Sequence, residues 1–158
     1  MKKTTFAIAV GVLSHFVACK APTQSYQFSE ISNITSTTVY SGTAINLTPA
    51  NTMLIKDVST QKAIYFKTAS PLVVDGKTVI PLNSMAKGTI IKVESKGMNS
   101  ADIVSIQLEY VMAADGQEIV LKAQSFDFKV NLHDINSQLL EPNKQLKAYT
   151  AYDNLIKL

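Results

Sequence analysis

Downstream of residue 37 the hydrophobic pattern is that of strands. Short runs rich in β-branched and aromatic residues fall at 37–41, 43–47, 63–67, 72–74, 78–82, 89–93, 103–111, 118–122 and 126–132. The last run alternates strictly, with Phe126, Phe128, Val130 and Leu132 set against Asp127, Lys129 and Asn131. A period of two turns one set toward a core and the other toward water. β-Branched and aromatic side chains suit such a pleated, half-buried surface. Many short strands separated by turn residues predict an all-β fold, an antiparallel β-sandwich or partly open β-barrel with at most one or two short helices. The helical candidates are a single turn at 57–62 and a helix at 134–141, capped by Asp134 and stopped by Pro142. At the C-terminus the pattern predicts strands at 146–150 and 155–158 around a turn. An amphipathic helix is the competing reading there.

The turns carry their own chemistry. Asp75 and Gly76 lie between two apolar runs, and so do Asp115 and Gly116. Asp-Gly suits a two-residue hairpin because both central residues need positive φ. Lys87-Gly88 and Lys96-Gly97 mark further bends. Residues 74–82 and 114–122 resemble each other, as two hairpins sharing turn chemistry would.

The N-terminus follows a different pattern. Lys2 and Lys3 precede an apolar run at 6–13, and no acidic residue appears before Glu30. The run is too short to span a bilayer as a helix, and this arrangement reads as a secretory signal peptide. An ordinary secretory cut needs small residues at the last and third-last positions. A cut after Ala18 puts Phe16 at the third-last position, and a cut after Ala21 puts Cys19 there. Phe16, Val17, Ala18 and Cys19 instead resemble the lipobox of bacterial lipoproteins. Ala18 supplies the small residue before the cysteine, and Phe16 stands where that family usually has leucine. The resemblance implies loss of residues 1–18 and acylation of Cys19, palmitate included. The chain would then be held at a membrane by several acyl chains, since one chain alone anchors only marginally. Lys20, rather than an aspartate, follows the cysteine. This resembles lipoproteins sorted to the cell outer membrane and facing the periplasm. The expected organisation is a signal peptide at 1–18, a lipidated cysteine and polar tether at 19–36, and a single β-rich domain at 37–158. Tyr26 and Phe28 alternate within the tether, so part of it is an alternative edge strand.

Composition then narrows the function classes. The formal net charge is +3, and losing Lys2 and Lys3 with the signal leaves +1. All 15 basic residues are lysines. Nucleic-acid and phosphate sites lean on the planar guanidinium, so nucleic acid is not the expected partner. Cys19 is the only cysteine, which excludes an intramolecular disulfide. The six glycines are scattered and form no phosphate loop.

Candidate chemistry is sparse. His133 is the only histidine after residue 18, and any Ser-His-Asp or Cys-His site there would have to use it. It ends the run at 126–132 beside Asp134, without a second player at a recognisable spacing. Zinc would lack its usual ligands, and Asp102, Asp115 and Glu118 do not follow a calcium-loop spacing. No catalytic residue, metal or cofactor is therefore assigned. Tyr65, Phe66, Tyr149 and Tyr152, with Met85, Met98 and Met112, read as core before they read as a recognition surface.

Residues 41–122 also resemble, loosely, the exported β-domains of small envelope lipoproteins and of secretion and conjugation scaffold proteins. Residues 41–47 look like that pattern's opening strand. Residues 74–90 look like its central Asp-Gly segment, with Asn83 standing where the pattern has glycine. Residues 114–121 look like its later Asp-Gly strand. The resemblance implies a β-barrel or sandwich with non-enzymatic envelope work. The resulting expectation is a non-catalytic, lipid-anchored envelope protein that binds or positions another envelope component, with sheet-edge pairing as one mode. The alternatives are a subunit of a secretion or conjugation assembly, a carrier of a small apolar ligand or lipid, and a hydrolase built around His133.

Overall fold

The computed structural model describes residues 35–96, 101–141 and 143–158. The signal segment, Cys19, the tether up to residue 34, Gly97, Met98 and Pro142 lie outside the described residues; the last expected tether residue, Ser36, opens the first strand.

Eleven strands follow one another: β1 Ser36–Val39, β2 Ala44–Pro49, β3 Ala63–Thr68, β4 Leu72–Val74, β5 Lys77–Ile80, β6 Met85–Glu94, β7 Asp102–Met112, β8 Glu118–Val120, β9 Ser125–Val130, β10 Leu146–Tyr149 and β11 Asn154–Lys157. The all-β class read from the hydrophobic pattern holds. One seven-stranded antiparallel sheet runs β10-β2-β3-β6-β7-β8, and β9 also pairs with β7. The pairs β1–β11 and β4–β5 form two small sheets.

The large sheet curls until its end strands meet. Leu121, just past β8, bridges Thr150, just past β10. The Lys122 N–H donates to the Tyr149 carbonyl at 2.7 Å, and the Ala151 N–H to the Val120 carbonyl at 2.9 Å. Inside lie Leu47, Phe66, Ala86, Ile106, Leu108, Val111, Ile119 and Ala148, all buried. Their polar neighbours along each strand face outward, as period-two patterning dictates.

Two bulges shape the curl. Registry slips between Lys87 and Gly88, opposite Tyr110 and Leu108, and again between Ile90 and Lys92. An extra residue on one strand bends it and increases its twist. The first extra residue is Glu109 of β7 and the second is Ile91 of β6, so Lys87-Gly88 lies within β6, opposite a bulge in β7, rather than at a bend between strands. Gly88 is needed for close approach: a Cβ there would lie 3.0 Å from the Gln107 carbonyl oxygen and 3.2 Å from Phe66 Cε2.

The two Asp-Gly pairs differ. Asp75 (φ 50°) and Gly76 (φ 74°) both take positive φ between β4 and β5. Of the second pair only Gly116 does, at φ 83°. There the turn is longer, with the Ala113 N–H bonded to the Gln117 carbonyl at 2.8 Å. Asp115 closes it by accepting from the Gln117 N–H at 3.0 Å. Its other oxygen accepts from the Lys157 N–H at 3.0 Å, tying β11 to this turn.

The helix expected at 134–141 does not form. The segment makes a turn, with the Ser137 N–H bonded to the Asp134 carbonyl, and then crosses to the loop after β2. There the Leu139 N–H donates to the Met53 carbonyl at 2.8 Å, and the Ile55 N–H donates to the Ser137 carbonyl at 2.9 Å. Burial of Leu139 and Leu140 in the core outweighs the local helical pattern. A single 3-10 turn forms at Ile55–Asp57, sharing only Asp57 with the turn expected at 57–62; within that span the Lys62 N–H bonds the Ser59 carbonyl at 3.3 Å in a further turn. The C-terminal segment is β10 and β11, not a helix.

Candidate functional site

β7 is longer than either partner on its far side. β8 pairs with residues 110–112 and β9 with residues 102–107. The seam between this side and β10 is joined at Leu121 and Thr150. Beyond that joint a groove of about 580 Å³ opens between β9 and the crossover leading to β10. Phe126, Phe128 and Val130 of β9 face Leu139, Leu140 and Leu146 across it. The three β9 side chains are only half-buried, because the groove removes the neighbours that would cover them. Asp127, Lys129, Asp134, Glu141 and Lys144 add charges of both signs along the groove. An apolar floor with a polar rim is the general anatomy of a binding site.

Asp102 fixes the base of the β9 wall. Its residue is buried, and its carboxylate accepts from the Leu132 N–H at 2.8 Å and the Lys96 N–H at 2.9 Å. Those two backbone donors hold its carboxyl below the usual carboxylate range, against the opposing effect of burial. Ser95 and the nearby His133 add to the lowering. The ends of β6 and β9 are thereby clasped to the start of β7.

His133 is exposed just beyond this clasp. Its backbone N–H donates to Asn131 Oδ1 at 3.0 Å. Among the described residues no hydrogen bond reaches its imidazole, and no group of three or more His, Cys, Asp or Glu side chains clusters with metal-binding geometry. Also among the described residues, no helix is long and apolar enough to cross a membrane.

The aromatic candidates divide. Phe66 is fully buried in the sheet core, whereas Tyr65 and Tyr152 are exposed and Tyr149 is half-buried. Met85 is exposed and Met112 half-buried on the outer wall. On that wall Lys87 bonds Glu109 at 2.7 Å and lies 6.0 Å from the Tyr110 ring centroid. Glu109 also accepts from the Thr89 hydroxyl. The Lys87 hydrogen bond, and then that of Thr89, hold the Glu109 carboxyl below its ordinary value. This group is fully partnered within the wall.

Sequence reasoning missed the groove residues on the crossover. Leu139 and Leu140 read as helix positions in isolation, and only the β9 alternation signalled a wall. No family model matches the chain, and no curated protein or solved structure matches it.

Proposed function

We propose that this chain is a non-catalytic binding domain of the cell envelope, lipid-anchored at Cys19, that docks another envelope component in the groove between β9 and the crossover. The observation that carries this reading is the groove itself: a concave surface in which Phe126, Phe128 and Val130 lie side by side, half-buried, between charged rims. A segment with two or three apolar side chains would cover Phe126, Phe128 and Val130. Removing their surface from water contributes about 25 cal/mol per Å² before ordering costs. The mixed rim would then select among segments by charge. The signal-like N-terminus and the lipobox-like residues around Cys19 support an outer-membrane lipoprotein facing the periplasm. A subunit of a secretion or conjugation assembly is one form this binding role takes.

The groove volume also favours a second reading, a carrier of a small apolar ligand. The two readings separate in one experiment. The native lipoprotein, labelled with a radioactive fatty acid, is isolated from envelope membranes in gentle detergent. The docking reading predicts label on the wild type but not on Cys19→Ala, and a protein partner that Phe126→Asp releases. Equal labelling of both forms would remove the anchor. Copurifying lipid in place of protein, released by the same substitution, would favour the carrier.

A further inference from the structure

β9 bonds to β7 along one edge, and among the described residues no strand occupies its other edge. It contains no proline, and its polar face carries one charge of each sign, Asp127 and Lys129, either side of Phe128. An uncovered edge is a template for another strand. The order of these charges decides which strand fits.

We propose that two copies of this chain join through β9, edge to edge and antiparallel, with the Phe128 residues opposite each other. In that register Asp127 lies opposite the partner's Lys129, and Lys129 opposite the partner's Asp127. Phe126 meets the partner's Val130. A two-fold axis makes every such pair occur twice. Centring the register one residue either way sets aspartate against aspartate or lysine against lysine. Directly opposed like charges destabilise a strand pair, and opposed unlike charges stabilise it.

Charge signs also alternate on the outer face of the neighbouring strands. Cross-strand registry aligns Lys92, Ser105 and Asp127 in one row and Glu94, Ile103 and Lys129 in the next. Lys92 bonds Glu94 at 2.6 Å between the rows. Asp127 accepts from the Ser105 hydroxyl through Oδ1 at 2.6 Å, which leaves Oδ2 for the partner's lysine. The second copy extends this alternation across the joint. It also lays its Phe128 against the half-buried Phe128 at the groove wall. The inference rests on the same reading of β9 as an open wall, but not on any docked envelope component.

Sedimentation equilibrium of the purified chain up to about 100 μM tests it. The wild type is expected to dimerise. Lys129→Asp and Asp127→Lys are each expected to weaken the dimer at least ~10-fold, by opposing like charges. The swap of both residues together is expected to restore it, and the two single variants mixed are expected to form a heterodimer. Both positions are exposed, so unchanged circular dichroism is the folding control. A monomeric wild type, or single variants that dimerise as well as the wild type, would overturn the proposal. Either result would leave docking in the groove to be judged by partner isolation.

Discussion

Leu121 and Thr150 face each other across the seam where the curled sheet closes on itself. Thr150 is fully buried, and its side chain is as engaged as its backbone. The hydroxyl donates to the Tyr40 carbonyl at 2.6 Å and accepts from the Thr43 N–H at 3.0 Å. Thr150→Val keeps the shape and removes both bonds. The Tyr40 carbonyl still accepts from the Thr43 hydroxyl at 2.7 Å and the Thr43 N–H at 3.2 Å, so the substitution is expected to cost about 0.5–1.5 kcal/mol, the net worth of the lost bonds. Urea denaturation checks this through a lower midpoint at unchanged slope.

Asp102 makes stability depend on acid. Its carboxyl titrates lower in the folded chain than in the unfolded one, because two backbone N–H groups bond the charged form. The stabilisation is fully present above the unfolded value of about 3.9 and fades as pH falls through the folded value. Asp102→Asn is therefore expected to lower the melting temperature at pH 7 and to flatten its fall in acid. Melting curves from pH 7 down to pH 2 check both. An unchanged acid limb would show that another carboxylate governs it.

Gly88 and Phe66 share one contact. A Cβ on Gly88 would meet the Phe66 ring at 3.2 Å, the Leu108 side chain at 3.2 Å and the Gln107 carbonyl at 3.0 Å. Gly88→Ala is expected to cost about 1–3 kcal/mol through overpacking. Phe66→Leu removes the ring, so the two costs together should sum to less than their separate values. A double-mutant cycle by chemical denaturation measures the difference.

Asn83 holds a left-handed backbone at φ 62° between β5 and β6. Asparagine tolerates this region, whereas a β-branched residue does not. Asn83→Gly is expected to change stability by less than about 0.5 kcal/mol, and Asn83→Val to cost about 1–2 kcal/mol. Thermal denaturation ranks the three forms.

The strands were legible because their residues decide them locally. β9 alternates so strictly that its two faces can be assigned without coordinates. β6 was read too short: Met85, Ala86 and Gly88 have little strand preference, and pairing with β3 recruits them. The crossover at 134–141 was misread because Ile135, Leu139 and Leu140 have helical spacing after a capping aspartate. Its backbone bonds go instead to residues far away in sequence, at 53–56. The groove was illegible for the same reason. It exists because β8 and β9 share β7 and only one end of the seam closes, and no single segment carries that information. Asp102 looked like one of several scattered acids, and only the burial of its residue distinguishes it.

Docking in the groove is tested most directly by photocrosslinking in intact cells. A benzophenone side chain is placed at Gln138 or Lys144, which line the groove on the crossover, and at Thr78 on β5 as a control. The account predicts one discrete adduct with another envelope protein from both groove positions, absent from Thr78 and abolished by Phe126→Asp. No adduct from either groove position, or the same adducts from Thr78, would contradict it.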